Sequence, residues 1–599
     1  MRLRVVAKIM ETPSRLLAQL RGEEGVTRQK AARLVVDLAY TAQADGFIEA
    51  VHAHVSGVSV ITGGHGLRRF LSDLSADDDG QVVIPTTLNS AGCDREKMEE
   101  MDIQWPDFLE QQFEIVQAYE RLGIDATLSC TPYDRGLESE VGMASWAESN
   151  AVCFSNTWTS LITNRESGLS ALATALTGYA PEWGLHLEQN RVPNILVHVD
   201  CKLTHLADWS ILGDWIGKQV RPEWSTPYGP MPFITGLPDY ISFASKKALT
   251  AAAANYGCAM LWAEGHTQTP PLERVDGTYS PPAGGWQGDL TFTAEDLAQR
   301  YEDLAPTGQV DLVVVGCPQA SLEEIRIAAA AVRGHMEMGM RIPDQRLWVF
   351  TSGENYDLAV ADGSIAMLEE AGAVLLKDTC PEVTPYNREK YNHLLTNSLK
   401  AEHYLTSGLN RLPTSVMPIA DCVAHAFDPE RSAGPRPKLS VKAQPQHASS
   451  KTHRDGDATL KGAGLNSQSD FSIKGRAMVS DVPITYLGYV NRDTGVIEEP
   501  GHPLDGEAIQ DTVLIYPKGS GSTVAPYVLM GLLYTGKGPK AIVNRDVCAL
   551  TLPACSLLDV PYGHGFDLDP CQEVNNGDLV EFTRIGDEVT LTVLERVSP

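Results

Sequence analysis

Val310–Glu324 reads VDLVVVGCPQASLEE. The valine-rich run to Val315 has the length and composition of a strand buried on both faces. Gly316–Cys317–Pro318 ends it. Ser321 is then placed to cap a helix, with Glu323 and Glu324 in its first turn. Strand, turn and helix in that order build an α/β sheet, and open α/β sheets bind ligands beyond the carboxyl ends of their strands. Cys317 sits at such an end. Two other stretches repeat the construction. GIDATLSCTPY is expected to end a strand at Cys130, with Pro132 two residues on, and AGAVLLKDTCPE to end one at Cys380, with Pro381 next. Three cysteines meeting at one sheet edge would hold an iron–sulfur cluster and leave one iron without a protein thiolate, a Lewis acid. Free cysteine is also a common buried hydrophobe, so three packed thiols fit the pattern too.

Upstream, Thr27–Ala44 has helical periodicity. FIEAVHAHVSG reads as a strand leaving His52 and His54 at its end, where a histidine is either a structural hydrogen-bonding group or a catalyst. QVVIPTTLNS is a short strand running into a polar turn. There Thr86, Thr87 and Asn89 offer uncharged partners to a carboxylate or hydroxyl, or simply shape the turn. Phe108–Leu122 is an amphipathic helix. ASWAESNAVCFSNTWTSLITNRESG is dense in Ser, Asn and Arg, with Ala151, Val152, Phe154 and Trp158 among them. That is the pattern of a partly buried polar lining. Ser149 and Asn150 fall in it, and Arg165 could clamp a carboxylate with two hydrogen bonds. SLKAEHY brings Ser398, Lys400 and Tyr404 together; Lys400 is a cation for an anionic substrate or a surface lysine.

The chain has 599 residues, which calls for at least two domains, and 43% hydrophobic residues, which permits large cores. The net charge is 48 − 77 = −29, which argues against a polyanionic partner such as nucleic acid. No apolar run reaches the ~18 residues of a membrane span. The basic N-terminus lacks the apolar core and cleavage site of a secretory signal. Eleven cysteines, scattered and odd in number, fit a reducing compartment, so a cytoplasmic location is expected.

Composition shifts near Asp428. Residues 428–472 are rich in Pro, Gly, Ser, Lys and Gln and are read as a partly flexible linker between a large domain, 1–427, and a small one, 473–599. In the small one, DTVLIYP, KAIVNRD and EVTLTVLE alternate with Gly and Pro turns, which predicts a β-rich barrel. YPKGSGSTVAPY places Ser520, Ser522 and Thr523 in a glycine-containing loop before a helix. Backbone N–H groups there favour an anion, including a serine alkoxide. A phosphate cradle competes, but the glycine spacing and GK[ST] ending of a phosphate loop are absent.

Together these stretches resemble aconitase X, a branch of the aconitase superfamily. AHVSG with His54, PTTLN, CTPY from Cys130, ESNAV from Glu148, TNR to Arg165, TGYAPEWGLHL, GCP with Cys317, DTC with Cys380 and SLKAEHY carry the likeness in the large part. TGVIEEPGHPLDGE, PKGSGST and GPKAIV carry it in the small one. The resemblance implies a large multi-layer α/β domain bearing the cluster and a small swivelling β/α barrel domain that closes over it. It implies ligation by Cys130, Cys317 and Cys380, a base at Ser522 with Ser520 as the rival, and a substrate site drawn from His54, Thr87, Asn89, Ser149, Asn150, Arg165 and Lys400. The cofactor implied is a two-iron (2Fe-2S) cluster, with 3Fe-4S and 4Fe-4S as alternatives. Two departures stand out: Gln319 replaces the family's usual histidine after Cys317–Pro318, and the serine loop is shorter. Single-chain bacterial members resemble cis-3-hydroxy-L-proline dehydratase, whereas members acting on mevalonate 5-phosphate usually keep the two domains as separate subunits. The likeness implies a hydro-lyase (lyase) of a small hydroxy acid, acting as a monomer or small homo-oligomer, and the fused chain favours dehydration of cis-3-hydroxy-L-proline to 1-pyrroline-2-carboxylate, with mevalonate 5-phosphate as the alternative substrate. An iron-sensing nucleic-acid-binding relative and a phosphohistidine swivel transferase are the other readings; the charge opposes the first, and the second lacks a His-centred motif.

Overall fold

A computed structural model describes residues 10–76, 80–137, 140–275, 278–407, 409–432 and 453–597. The large part holds three parallel sheets. Thr86–Leu88, His52–Val55, Val141–Trp146 and Ser160–Arg165 lie in that spatial order in the first. Gly288–Thr293, Ile195–Asp200, Pro232–Thr235 and Trp262–Ala263 form the second. The third runs Val374–Leu376, Leu347–Thr351, Leu312–Ala320, Leu394–Thr396, Thr414–Val416.

The valine-rich strand is the centre of that third sheet, and every residue from Leu312 to Ala320 is buried. Helices cover both faces, which is why the run is apolar without alternation. Gly316 has φ 108°, and a Cβ there would lie 2.2 Å from the Phe350 carbonyl, so only glycine lets the strand turn out towards Cys317. Ser321 caps the helix Leu322–Glu337 in a reciprocal box with Glu324.

Seven strands at the C-terminal end close into a barrel, Thr459–Gly464, Tyr562–His564, Ala541–Asn544, Val513–Tyr516, Phe471–Val479, Leu579–Ile585 and Glu588–Glu595 in order around it. One apolar core runs from the first sheet's helices into this barrel domain, through Leu67, Phe108 and Tyr119 on one side and Tyr486, Tyr527 and Leu529 on the other.

Five expectations change. The valine-rich strand does not end at Gly316–Cys317–Pro318 but runs on to Ala320, its pairing with Leu347–Thr351 shifting register after Val315, so Cys317 lies within the strand. GIDATLSC does not make a strand at Cys130. It runs beside Thr86–Leu88, and the Asp125 and Ser129 N–H groups donate to the Thr86 and Leu88 carbonyls, but the Leu88 N–H goes to the Thr127 hydroxyl instead of a backbone carbonyl, and Leu128 turns left-handed. The strand before Cys380 stops at Leu376, four residues short, because Asp378 is also left-handed. FIEAVHAHV is two strands, Phe47–Glu49 and His52–Val55, pairing with different neighbours, so His52 opens the second strand and His54 lies within it rather than at its end. Within 428–472, residues 433–452 lie outside the described residues, while Thr459–Gly464 is a barrel strand paired to Glu588–Glu595. Its small and polar residues hide it; only Leu460 is fully buried.

Candidate active site

Strand order places the site. In the first sheet the chain goes from His52–Val55 outward to Thr86–Leu88, then returns to the opposite side at Val141–Trp146. In the third it goes from Leu312–Ala320 through Leu347–Thr351 to the edge, then returns to the opposite side at Leu394–Thr396. Each reversal opens a crevice at the strands' carboxyl ends. The two crevices meet. One pocket is lined by Ser56, Asn89, Ser90 and Glu148 from the first sheet, by Cys317, Cys380, Glu382 and Lys400 from the third, by Cys130 between them, and by Ser522, Thr523 and Val524 from the barrel domain.

All three cysteines are buried and face this pocket. Contact with the Cys130 thiol, then burial, pushes the Cys380 thiol well up. Burial does the same for Cys317, opposed by Lys400. Among the described residues no three His, Cys, Asp or Glu side chains are set to hold a single ion. A single ion draws each sulfur to about 2.3 Å. An iron–sulfur cluster spans more widely spaced thiolates, and three soft donors with no fourth suit a cluster with one open iron. The donor set fits such a group.

Lys400 is the electrostatic centre. Its ammonium donates to Glu148 at 3.0 Å and to Ser149 Oγ at 3.3 Å, and stands 3.7 Å from Glu382. Burial opposes its charge, but the two carboxylates outweigh burial and hold its pKa well above the usual lysine value. Burial would raise Glu148, yet Lys400 and the Asn150 amide hold it well below the usual carboxylate range. Glu382 keeps the burial penalty and is pushed up to about 7. The helix Leu399–Thr406 starts at Ser398, whose side chain caps Lys400 N–H and also donates to the Cys317 carbonyl. One cap therefore fixes both lysine and cysteine.

The barrel domain contributes the loop before the helix Ala525–Tyr534. Ser522 faces the pocket; Ser520 is not in its lining, and its N–H is bonded to the Ile484 carbonyl. Tyr527 donates to the Ser56 carbonyl at 3.1 Å, Thr523 Oγ1 lies 3.2 Å from Ser56 Oγ, and the Arg165 guanidinium donates to the Gly521 carbonyl at 3.4 Å.

Of the residues picked from sequence, Asn89, Lys400, Ser522 and the three cysteines line the pocket. His54, Thr87, Ser149, Asn150 and Arg165 stand outside its lining. His54 Nδ1 meets Thr87 Oγ1 at 2.8 Å, and burial drives its pKa down to about 3. Asn150 is fully committed to Cys130 O, Glu148 and the Tyr133 hydroxyl. Sequence reasoning passed over Ser56, Ser90, Glu148 and Glu382. Glu382 follows Cys380–Pro381 with no motif of its own; its packing against Lys400 marks it.

Known proteins agree with this architecture. Family models match at residues 15–189 (aconitase X first domain), 310–428 (aconitase X third domain) and 465–592 (aconitase X swivel domain). The phosphomevalonate dehydratase large subunit of Methanothermobacter thermautotrophicus is 35% identical over 386 residues, 64% of this chain and 91% of that one. The chain belongs to the aconitase X family. The cis-3-hydroxy-L-proline dehydratase of Pseudomonas aeruginosa is 31% identical over 436 residues, 70% of each chain. The crystal structure of Thermococcus kodakaraensis aconitase X in its holo-form superimposes with TM-score 0.60 at 29% identity, covering 70% of this chain and all of that one. This aconitase X protein is a hydro-lyase, a dehydratase acting on a small molecule. No helix among its described residues is long and apolar enough to cross a membrane.

Proposed function

We propose that this aconitase X protein is an iron–sulfur hydro-lyase that dehydrates cis-3-hydroxy-L-proline to 1-pyrroline-2-carboxylate. The observation that carries the reading is the charge of the pocket. Among the described residues its one lining cation, Lys400, is already matched by two carboxylates, Glu148 and Glu382. A phosphomonoester would bring negative charge that calls for clustered Arg or Lys. A cyclic amino acid brings its own ammonium, which the surplus carboxylate accepts.

Cys130, Cys317 and Cys380 would hold the cluster. When bound, it supplies a Lewis acid for the departing hydroxyl. The protein's own residues do the rest. Asn89, with an unpartnered buried Oδ1, orients the substrate, and Arg165 holds the serine loop in place through the Gly521 carbonyl. Ser522, deprotonated, takes the proton from C2 as the C3–O bond breaks, and that proton passes from Ser522 to the released hydroxide, giving water and restoring the alkoxide. A serine serves as base only where water is excluded and fixed dipoles stabilise its alkoxide. The docked loop and the N–H of Val524, 3.4 Å from Ser522 Oγ, favour both. The enamine product tautomerises to the cyclic imine.

Mevalonate 5-phosphate dehydration is the second reading, favoured by the higher identity to the archaeal large subunit. Anaerobically purified protein offered 3-hydroxyproline isomers and mevalonate 5-phosphate distinguishes the two: turnover of cis-3-hydroxy-L-proline is expected, and turnover of the phosphate ester alone overturns the proposal.

A further inference from the structure

Gln319 is fully buried, one residue past Pro318, and its amide is spent on the other two cysteine loops. Oε1 accepts from the Cys130 N–H at 3.0 Å. Nε2 donates to the Leu128 carbonyl at 3.2 Å and to the Thr379 carbonyl at 2.9 Å. Its backbone N–H points at the Cys130 sulfur, 3.3 Å away. The amide cannot be flipped, since that would set its NH2 against an N–H and its oxygen against two carbonyls.

Both clamped segments need holding. Leu128 has φ 46° and Asp378, next to Thr379, has φ 67°. A non-glycine residue in this region is strained and persists only where its surroundings fix it. Neither segment is held by a full strand ladder at its cysteine.

We infer that Gln319 is a positioning residue whose side-chain amide clamps the loops of Cys130, Cys317 and Cys380 into one frame. Its consequence for iron rests on the cluster proposed above; the clamp itself does not. A neutral imidazole has one donor and one acceptor, so histidine at 319 cannot make all three side-chain bonds. Glutamate has the same shape, but when ionised sets an oxygen against two carbonyls.

The experiment compares the full chain, reconstituted with iron and sulfide without oxygen, as wild type, Gln319→Glu, Gln319→His and Leu460→Ala. The last opens a cavity in the barrel core, away from these loops. Loss of a group that orients a metal ligand typically costs 10–100-fold in metal affinity. Both Gln319 variants should release iron to a ferrous chelator roughly 10–100-fold faster than wild type. Both should also show an altered electron paramagnetic resonance spectrum of the reduced cluster, and Gln319→His, which loses the oxygen that accepts from Cys130, should lose protection of the Cys130 amide against hydrogen exchange. Leu460→Ala should lower the melting temperature with none of these changes. Iron release no faster than in Leu460→Ala, with a wild-type spectrum and, in Gln319→His, a protected Cys130 amide, overturns the inference. If wild type takes up no iron, the cluster reading falls and the amide of Gln319→His alone decides the clamp: protection lost upholds it, protection kept overturns it. Should Gln319→Glu fail to fold, Gln319→His carries the same readings.

Discussion

A serine, a lysine and a histidine show how far single residues can be read. Sequence resemblance favours Ser522 and leaves Ser520 as its rival; the fold turns Ser522 to the pocket. Ser522→Ala should therefore stay folded, lose at least ~10²-fold in kcat and cease to exchange the substrate's C2 proton with solvent, while Ser520→Ala exchanges normally. The reverse pattern would move the role to Ser520. Lys400 looked like a surface lysine as readily as a ligand, yet it is buried between Glu148 and Glu382. Lys400→Met should destabilise by about 3–5 kcal/mol in denaturant unfolding, because it strands buried carboxylates. A loss under ~1 kcal/mol would mean the carboxylates are solvated instead. His54 carries a pH dependence. Its folded pKa, about 3, lies far below the ordinary histidine value. Below pH ~6.5 the unfolded chain binds the proton first, so the stability His54 contributes is complete above that pH and is lost as pH falls towards the folded value, at up to ~1.4 kcal/mol per pH unit. The fall in melting temperature between pH 6.5 and 4.5 should be shallower in His54→Gln than in wild type; equal slopes would contradict a buried neutral ring.

At the scale of elements, legibility followed periodicity. Leu312–Val315 is apolar without alternation and sits where a central parallel strand must, so the strand and its capped helix were readable, while its run through Cys317 to Ala320 was not. The stretch before Cys130 was not. Its apolar residues suggest a strand, but Thr127 replaces a ladder bond with its own hydroxyl, a substitution that no hydropathy pattern reports. The barrel strand Thr459–Gly464 hid for the opposite reason: its partners supply its order, and its residues alone look like linker. Glycine spacing likewise gave no hint that the helices Val60–Leu74 and Ala525–Tyr534 touch. At Gly66 a Cβ would lie 2.5 Å from the Gly531 backbone nitrogen, so this contact sets how closely the barrel domain approaches the cysteines. Gly66→Ala should lower both melting temperature and kcat. Gly334→Ala, in open space on another helix, should instead raise stability by up to ~1 kcal/mol with kcat unchanged. Matching effects at the two positions would remove the contact from the account.

For the whole molecule, two switch-point crevices and a docked barrel domain converge on three cysteines, one lysine and one serine, none of which is near another in sequence. Family membership supports the hydro-lyase chemistry; the pocket's charge supports the amino acid as substrate. Both claims meet in one measurement: turnover of cis-3-hydroxy-L-proline by iron-loaded protein prepared without oxygen, followed by nuclear magnetic resonance in parallel with Cys317→Ser. The wild type should bind iron and form 1-pyrroline-2-carboxylate, and Cys317→Ser should do neither while remaining folded. Equal iron content and equal turnover in the two proteins would contradict the account.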